Sequence, residues 1–158
     1  MRRAVCLLTI AFFTCLTIGC NESASFAEIK LLSVQETGGE ITLFRAPNEG
    51  SIYLIFLVEA SNNTDDILYS SPAPQGEKYL SYILVDGEGT EYAPLGFHLV
   101  SGDALNYAEA YRAIRQDIYF EIPDDWESAT FSVFQNIIRH DESKMIFTQE
   151  ITKADLSQ

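Results

Sequence analysis

Ile52-Tyr53-Leu54-Ile55-Phe56-Leu57-Val58 is the stretch of sequence that decides the fold. It contains seven consecutive β-branched, aromatic or aliphatic residues. A strand with one wet face alternates apolar with polar residues, so this unbroken run predicts a central β-strand covered on both faces. The polar cluster from Asn62 to Asp66 follows and ends the strand, because Asn and Asp favour turns.

Shorter runs of the same kind lie on both sides of this strand and predict further strands. In the run that stops at Pro123, Phe120 falls on the apolar face and Glu121 on the polar face, which is typical of a half-buried strand. The predicted strands are Ile29–Val34, Ile41–Phe44, Ile67–Tyr69, Tyr79–Val85, Thr90–Tyr92, Asp117–Ile122, Ala129–Val133 and Met145–Ile151.

Two connections carry signals of their own. Asp86-Gly87-Glu88-Gly89 predicts a tight hairpin, because its two glycines can adopt the positive φ that such turns require. Asp103–Tyr111 is the stretch that favours helix, since its Ala and Tyr residues recur at helical spacing behind Asp103, which can cap a helix. Many short strands with one short helix predict an all-β fold, an antiparallel β-sandwich with Greek-key connections.

Three segments carry a resemblance to a known group of domains. They are the buried strand Leu54–Asn62, the hairpin Leu84–Tyr92, and Phe120-Glu121-Ile122-Pro123 followed by a further strand. Together they resemble the immunoglobulin-like domains of unknown function found in exported bacterial proteins and lipoproteins. The resemblance spans most of Glu28–Gln135 and implies an immunoglobulin-like β-sandwich, and it supplies no catalytic residues.

The beginning of the chain predicts export and lipid attachment. Arg2 and Arg3 precede the apolar stretch Ala4–Ile18, which is short for a membrane span, and Leu16-Thr17-Ile18-Gly19-Cys20 ends it. This segment resembles the bacterial lipobox. The resemblance implies cleavage before Cys20, which then carries the lipid. We therefore expect a signal peptide over residues 1–19, a lipidated cysteine and short tether over 20–27, and one β-sandwich domain over 28–158.

Composition excludes several classes of function. The formal net charge of −13 would become −15 after loss of Arg2 and Arg3, and the remaining Lys and Arg are scattered singly. Nucleic acid binding is therefore disfavoured, because phosphate backbones need a basic patch. Cys6 and Cys15 lie inside the predicted signal, so the mature chain has no cysteine pair to form a disulfide.

Candidate sites for metal or catalysis are weak. His98 and His140 are the only histidines, and neither lies in a cluster with zinc-ligand spacing. Turn formation explains the acidic pairs more simply than a calcium loop does, and no nucleophile elbow is present. We expect no catalytic residue, metal or cofactor. The acidic groups are Asp65-Asp66, Asp124-Asp125 with Glu127, and Asp141-Glu142.

Aromatic residues in the connections offer a different kind of site. Two connections, Tyr69–Tyr79 and Gly96–Tyr111, hold tyrosines in addition to the apolar residues that the predicted strands supply to the core. Exposed tyrosines are typical of protein-binding surfaces. The alternative is that these loops cover the core. Trp126, after the turn at Pro123, is expected to cap the core rather than to anchor a partner. The candidate partner-binding residues are Tyr69, Tyr79, Tyr107 and Tyr111.

These observations predict a lipid-anchored protein of the bacterial cell envelope, facing the periplasm or the exterior. Its sandwich is expected to be non-enzymatic and to bind or support another envelope protein. The alternative is a small envelope ion-binding protein or hydrolase that uses surface carboxylates.

Overall fold

The computed structural model describes residues 25–41, 44–70, 78–99, 107–138 and 142–156. Within these ranges the chain forms ten strands and one four-residue helix at its end. The elements are β1 (Ala27–Thr37), β2 (Ser51–Asn62), β3 (Leu68–Ser70), β4 (Lys78–Asp86), β5 (Glu91–Tyr92), β6 (Gly96–Leu99), β7 (Tyr107–Ala108), β8 (Ala113–Pro123), β9 (Ser128–Ile137), β10 (Glu142–Thr152) and α1 (Lys153–Leu156).

The strands form two sheets packed face to face around one core. The first sheet has the order β1-β2-β8-β6, and the second has the order β10-β9-β4-β3-β7 with β5 paired to β4. All pairings are antiparallel except that of β3 with β4, which is parallel. The predicted all-β sandwich is therefore confirmed, with one parallel pairing that the sequence did not predict.

The run Ile52–Val58 lies in β2, between β1 and β8, as the sequence predicts for a central strand. Its inward side chains Leu54, Phe56 and Val58 are fully buried. The outward Ile55 and Leu57 are only half-buried. The prediction of cover on both faces is therefore met completely on the inner face and partly on the outer one.

Phe131 on β9 stands at the centre of the core and joins the two sheets. Its ring stacks on that of Phe56, with centroids 4.4 Å apart, and meets Phe120 edge-on at 6.2 Å. The rings of Tyr82 and Phe147 contact it from its own sheet. Phe120 is fully buried, which confirms its place on the apolar face of β8.

The hairpin forms as predicted between β4 and β5, but its two glycines have different roles. Gly89 has a φ of +90°, whereas Gly87 does not lie in the left-handed region. A Cβ on Gly87 would meet the Ser128 Oγ at 2.9 Å, and the Gly87 N–H donates to the Ser128 carbonyl. The missing Cβ at Gly87 therefore lets the turn approach β9 without displacing the Ser128 hydroxyl.

Two predicted elements are wrong. Tyr107 and Ala108, expected in a helix over Asp103–Tyr111, form strand β7 instead, because pairing with β3 outweighs the helical spacing; residues 103–106 lie outside the described ranges. Ile41–Phe44 is an isolated bridge rather than a full strand. At the N-terminal side, Phe26 and Ala27 belong to the core, although the sequence placed them in the tether.

The connection between β1 and β2 folds across the outer face of the first sheet. Phe44 packs there against Tyr119 and Tyr53, with ring centroids 5.2 and 6.1 Å away. The Tyr53 hydroxyl donates to the Arg45 carbonyl at 2.8 Å. The Asn48 backbone and side-chain amides both donate to one Glu121 oxygen at 2.7 Å, so Glu121 holds this connection in place.

Gly96 makes room for the ring of Phe44, because a Cβ at this position would lie 2.7 Å from the Phe44 Cζ. We expect Gly96→Ala to cost about 1–3 kcal/mol of unfolding free energy, as overpacking does. In a Phe44→Ala background the same change should cost much less, since the clashing ring is gone. Urea melts of the four proteins measure this coupling, and equal costs in both backgrounds would contradict the contact.

Candidate functional site

The outer faces of the two sheets differ in charge. On the first sheet, outward side chains of neighbouring strands form ion pairs: Arg115 Nε lies 2.6 Å from a Glu59 oxygen. Lys30 Nζ lies 4.0 Å from Glu59 and 3.5 Å from Glu28. Such pairs are typical of a sheet face that stays in water.

On four strands of the second sheet, β7, β3, β4 and β9, the outward side chains carry no charge. Glu150 on β10 and Glu91 on β5 border this surface, in register with Thr130 and Val85. We call this surface the neutral face. Its members alternate with the buried inward residues Leu80, Tyr82 and Leu84 on β4 and with Phe131 and Val133 on β9. The neutral face consists of Tyr107, Tyr69, Tyr79, Ser81, Ile83, Val85, Ser128, Thr130, Ser132, Phe134 and Asn136.

Three of the four predicted tyrosines form a row on the neutral face. Tyr69 pairs in register with Tyr107 on one side and with Tyr79 on the other. The rings of Tyr69 and Tyr107 lie 5.8 Å apart and are tilted by 55°. All three are half-buried, and all three stand on strands: Tyr69 on β3, Tyr107 on β7 and Tyr79 on β4. The sequence placed Tyr69 and Tyr79 at the ends of predicted strands, and it did not predict the strand at Tyr107.

Tyr111 does not join this row. It lies in the turn between β7 and β8, where its N–H donates to the Thr64 carbonyl, and its side chain is 71% exposed. Its φ of +55° is in the left-handed region, which disfavours a bulky side chain. The structure therefore divides the predicted site into a row of three tyrosines and one isolated exposed tyrosine.

Asn136 continues the tyrosine row onto β9, where it pairs with Tyr79. Its side-chain amide donates to the Ser81 Oγ at 2.9 Å and to the Phe134 carbonyl at 3.2 Å. These hydrogen bonds fix the polar part of the neutral face without any charge. Sequence reasoning missed Ile83 and Phe134, although the run Tyr79–Val85 already shows apolar residues on both of its faces.

A face of this composition is unusual for a chain with a net charge of −13. Outward positions on a solvated sheet face ordinarily carry charged residues, whereas depletion of charge and enrichment in Tyr and Phe mark the centres of interfaces. The flat aromatic and β-branched surface of the neutral face therefore fits an apolar or neutral partner surface.

The sheet edges are poorly suited to strand addition. β1 has a register shift between Leu31 and Ser33, and β10 has one between Met145 and Phe147. The opposite edges are formed by β6 and β7, which are four and two residues long. Bulged or short edge strands resist pairing with another chain. The faces, rather than the edges, are available for recognition.

A cleft of about 760 Å³ lies at the end of the sandwich that carries the β4–β5 and β8–β9 turns. Trp126 lines it and is 5% exposed, and its Nε1–H donates to Glu36 at 3.2 Å. This confirms that Trp126 caps the core. Four acids line the same cleft: Asp86, Glu88, Asp125 and Glu127.

Asp86 is occupied by the turn that it stabilises. One of its oxygens accepts from the N–H groups of Glu88 and Thr90, and the other accepts from the Tyr92 hydroxyl. These hydrogen bonds, that of the Thr90 N–H first, lower the pKa of Asp86. Asp66, in another predicted acidic pair, binds Lys78 Nζ at 2.9 Å. Within the described ranges, no three His, Cys, Asp or Glu side chains are placed to hold a metal ion.

A small polar cluster is buried between the two sheets, and within it the Gln116 Oε1 accepts no hydrogen bond from the described residues. The Gln116 side-chain amide donates to the Ser70 Oγ at 2.5 Å and to the Tyr82 hydroxyl at 2.9 Å, and these two hydroxyls also bond each other. Gln116 and Ser70 are fully buried, and burial raises the pKa of Tyr82. The cluster ties β8 to β3 and β4 behind the tyrosine row.

Some predicted residues lie outside the described ranges. They include the signal, Cys20, His140 and Asp141. For His98 only the backbone, in β6, is described. Among the described residues, no helix has the length and apolar character needed to cross a membrane.

Comparison with solved structures finds several similar chains. A putative lipoprotein of Bacillus subtilis, ycdA, superposes with a TM-score of 0.56 at 13% identity, covering 84% of this chain and 38% of its own. An uncharacterized β-sandwich protein of Clostridium difficile gives 0.46 at 10% identity, with coverages of 70% and 80%. A conserved hypothetical protein of Bacillus anthracis gives 0.44 at 15%, with 78% and 89%.

These likenesses concern the fold, and the chain spans little more than a third of the length of ycdA. No protein-family model and no curated protein matches the sequence.

Proposed function

We propose that this chain is a lipid-anchored protein of the bacterial cell envelope whose β-sandwich binds another envelope protein and catalyses no reaction. The neutral face is the observation that carries the proposal. It combines the row Tyr69, Tyr79 and Tyr107 with Ile83 and Phe134 on four adjacent strands and has no charged side chain. Aromatic, uncharged surface of this kind gives large contact area at low entropic cost.

The anchoring half of the proposal rests on the sequence Leu16–Cys20 and on the resemblance of this segment to the lipobox. The B. subtilis structure neighbour, described as a putative lipoprotein, is in keeping with it. Lipid at Cys20 would supply the attachment to the membrane, and the acidic domain would contribute little of it.

The non-enzymatic half is supported by the way the polar groups are engaged. Asp86 is bound within its own turn. Gln116, Ser70 and Tyr82 are buried in the core, where the Gln116 amide nitrogen donates to both hydroxyls. The carboxylate alternative would need acids that converge on one point. Those at the cleft with Trp126 stand on two separate turns, and no three of them are placed to hold one ion.

Replacing Tyr69 and Tyr107 together by serine tests the binding surface. We expect the variant to lose most capture of the crosslinked envelope partner that the wild-type protein captures, because the tilted ring pair is removed. The melting temperature should fall only slightly, since cross-strand pairs contribute roughly 0.2–1 kcal/mol.

Leu57→Ser on the outer face of the first sheet is the matched control. It also replaces a half-buried outward side chain on a sheet, and it should leave capture unchanged. Undiminished capture by the tyrosine variant would reject the neutral face as the binding surface. Loss of capture together with a collapsed melting curve would show that the tyrosines hold the fold.

A further inference from the structure

We propose that one end of the sandwich rests on the bilayer surface, with Ile67, Tyr111 and Ile138 entering the lipid interface. We call this end, where the chain enters the domain, the anchor end. The inference rests on the proposed lipid anchor at Cys20 and assigns an orientation and a contact that the anchor alone does not specify.

The point at which the tether meets the domain is fixed by hydrogen bonds. The Phe26 N–H donates to Gln135 Oε1 at 3.0 Å, and the Asn63 N–H donates to the Phe26 carbonyl at 2.9 Å. Only four residues separate Cys20 from Ser25. At ~3.3 Å per residue they reach less than about 20 Å, so this end of the domain lies close to the lipid headgroups.

Half of the large exposed hydrophobic side chains that the structure describes lie at the same end. Among the described residues, six large hydrophobic side chains are exposed, and three of them, Ile67, Tyr111 and Ile138, lie at the anchor end. Ile67 directly follows Asp66, which forms an ion pair with Lys78. Ile138 directly follows Ile137, which is the cross-strand partner of Lys78. The two isoleucines therefore lie at the ends of β3 and β9, the strands on either side of β4, with the ion pair of Asp66 and Lys78 between them.

Tyr111 adds an observation that packing does not explain. Among the described residues, Tyr111 is the one non-glycine residue with a positive φ. It is also 71% exposed, so a tyrosine at this position adds little to the packing of the fold. Its N–H bond to Thr64 places it beside the turn that leads to Ile67. Tyrosine is favoured at the membrane interface, where its ring enters the headgroup layer and its hydroxyl stays in water.

The charged residues of the domain are distributed unevenly between the anchor end and the opposite end of the sandwich. We call that opposite end, which carries the cleft with Trp126, the distal end. At the distal end, twelve acidic residues accompany two basic residues, Arg45 and Lys153, among those that the structure describes. The acids are Glu36, Glu40, Glu49, Asp86, Glu88, Glu91, Glu121, Asp124, Asp125, Glu127, Glu150 and Asp155.

The anchor end is nearly balanced, with six acidic and five basic residues among those described. They are Glu28, Glu59, Asp65, Asp66, Glu109 and Glu142, with Lys30, Lys78, Arg112, Arg115 and Lys144. An anionic bilayer repels the distal end more strongly than the nearly balanced one. The charge distribution therefore favours the orientation that the tether requires.

This arrangement leaves the neutral face beside the membrane rather than on it. The row Tyr107, Tyr69 and Tyr79 crosses the second sheet near the anchor end, roughly perpendicular to the strands. A partner embedded in, or lying on, the same membrane could contact it without tilting the domain.

Tryptophan fluorescence with brominated lipid tests the contact. The mature lipidated protein is reconstituted into protein-free vesicles of phosphatidylethanolamine and phosphatidylglycerol, with and without bromine on the acyl chains. The wild-type protein carries a single tryptophan, Trp126, at the distal end. Its fluorescence is the background that is subtracted from the signal of each variant. Ile138→Trp adds a reporter at the anchor end, and Leu95→Trp adds one of similar exposure toward the distal end.

We expect bromine to quench about half or more of the added signal in Ile138→Trp and almost none in Leu95→Trp or wild type. Quenching absent from Ile138→Trp in protein that floats with the vesicles would overturn the inference while leaving the anchor intact. That outcome would assign the exposed side chains to a protein partner instead. Protein that does not float with the vesicles would refute the lipid anchor itself, and with it the inference.

Discussion

Phe131→Ala is expected to lower the free energy of unfolding by about 3–5 kcal/mol, the range found when a large aromatic side chain is deleted from a packed core. Phe131 is fully buried and contacts the rings of Phe56 and Phe120 across the sheets. Its removal leaves a cavity between the two sheets, beside the rings of Phe56 and Phe120. Urea melts followed by far-ultraviolet circular dichroism measure the loss.

Phe134→Ala is the matched control, because it deletes the same side chain from the same strand on the opposite face. Phe134 is half-buried on the neutral face, so the change should cost less than half as much. Equal losses from the two variants would contradict the register of β9 and, with it, the assignment of inner and outer faces.

Cys20→Ser is expected to have the largest effect on location. Without the thiol that accepts the lipid, the protein should move from the membrane fraction to the soluble fraction, or remain unprocessed. Cys15→Ser is the control, since Cys15 lies within the predicted signal and is removed with it. Fractionation of cells in high salt, with immunoblotting, measures both. A processed Cys20→Ser protein that still partitions wholly with membranes would contradict lipid anchoring.

Much of this fold was predictable because long strands carry strong patterns. The apolar run Ile52–Val58 marked the central strand, and the alternation around Phe120 gave the correct inner face of β8. The glycines after Asp86 marked the hairpin between β4 and β5. In each case the signal is local, and packing reinforces it.

The short strands were predictable only in part. The sequence predicts a strand at Ile67–Tyr69, which overlaps β3, but it does not predict β7, whose two described residues are too few for a periodic pattern. The pairing of β3 with β7 also depends on residues far apart in the chain. The Tyr and Ala residues of Asp103–Tyr111 have helical spacing, yet Tyr107 pairs with Tyr69. Tertiary pairing therefore overrides a weak local preference.

The candidate site was predictable in its residues but not in its geometry. Surplus tyrosines drew attention to Tyr69, Tyr79 and Tyr107, and only the register of three strands shows that they form one row. The absence of charge across the neutral face also needs the structure. It depends on which alternate positions of β4 and β9 point outward.

The central claim is that the neutral face binds another envelope protein, and site-specific photocrosslinking in the native membrane tests it most directly. A photoreactive phenylalanine analogue is placed at Ile83 on β4 or at Leu57 on β2, two half-buried outward positions on central strands of the two sheets. The account predicts a discrete protein adduct from Ile83 and none from Leu57. No adduct at Ile83, or equal adducts at both positions, would contradict it.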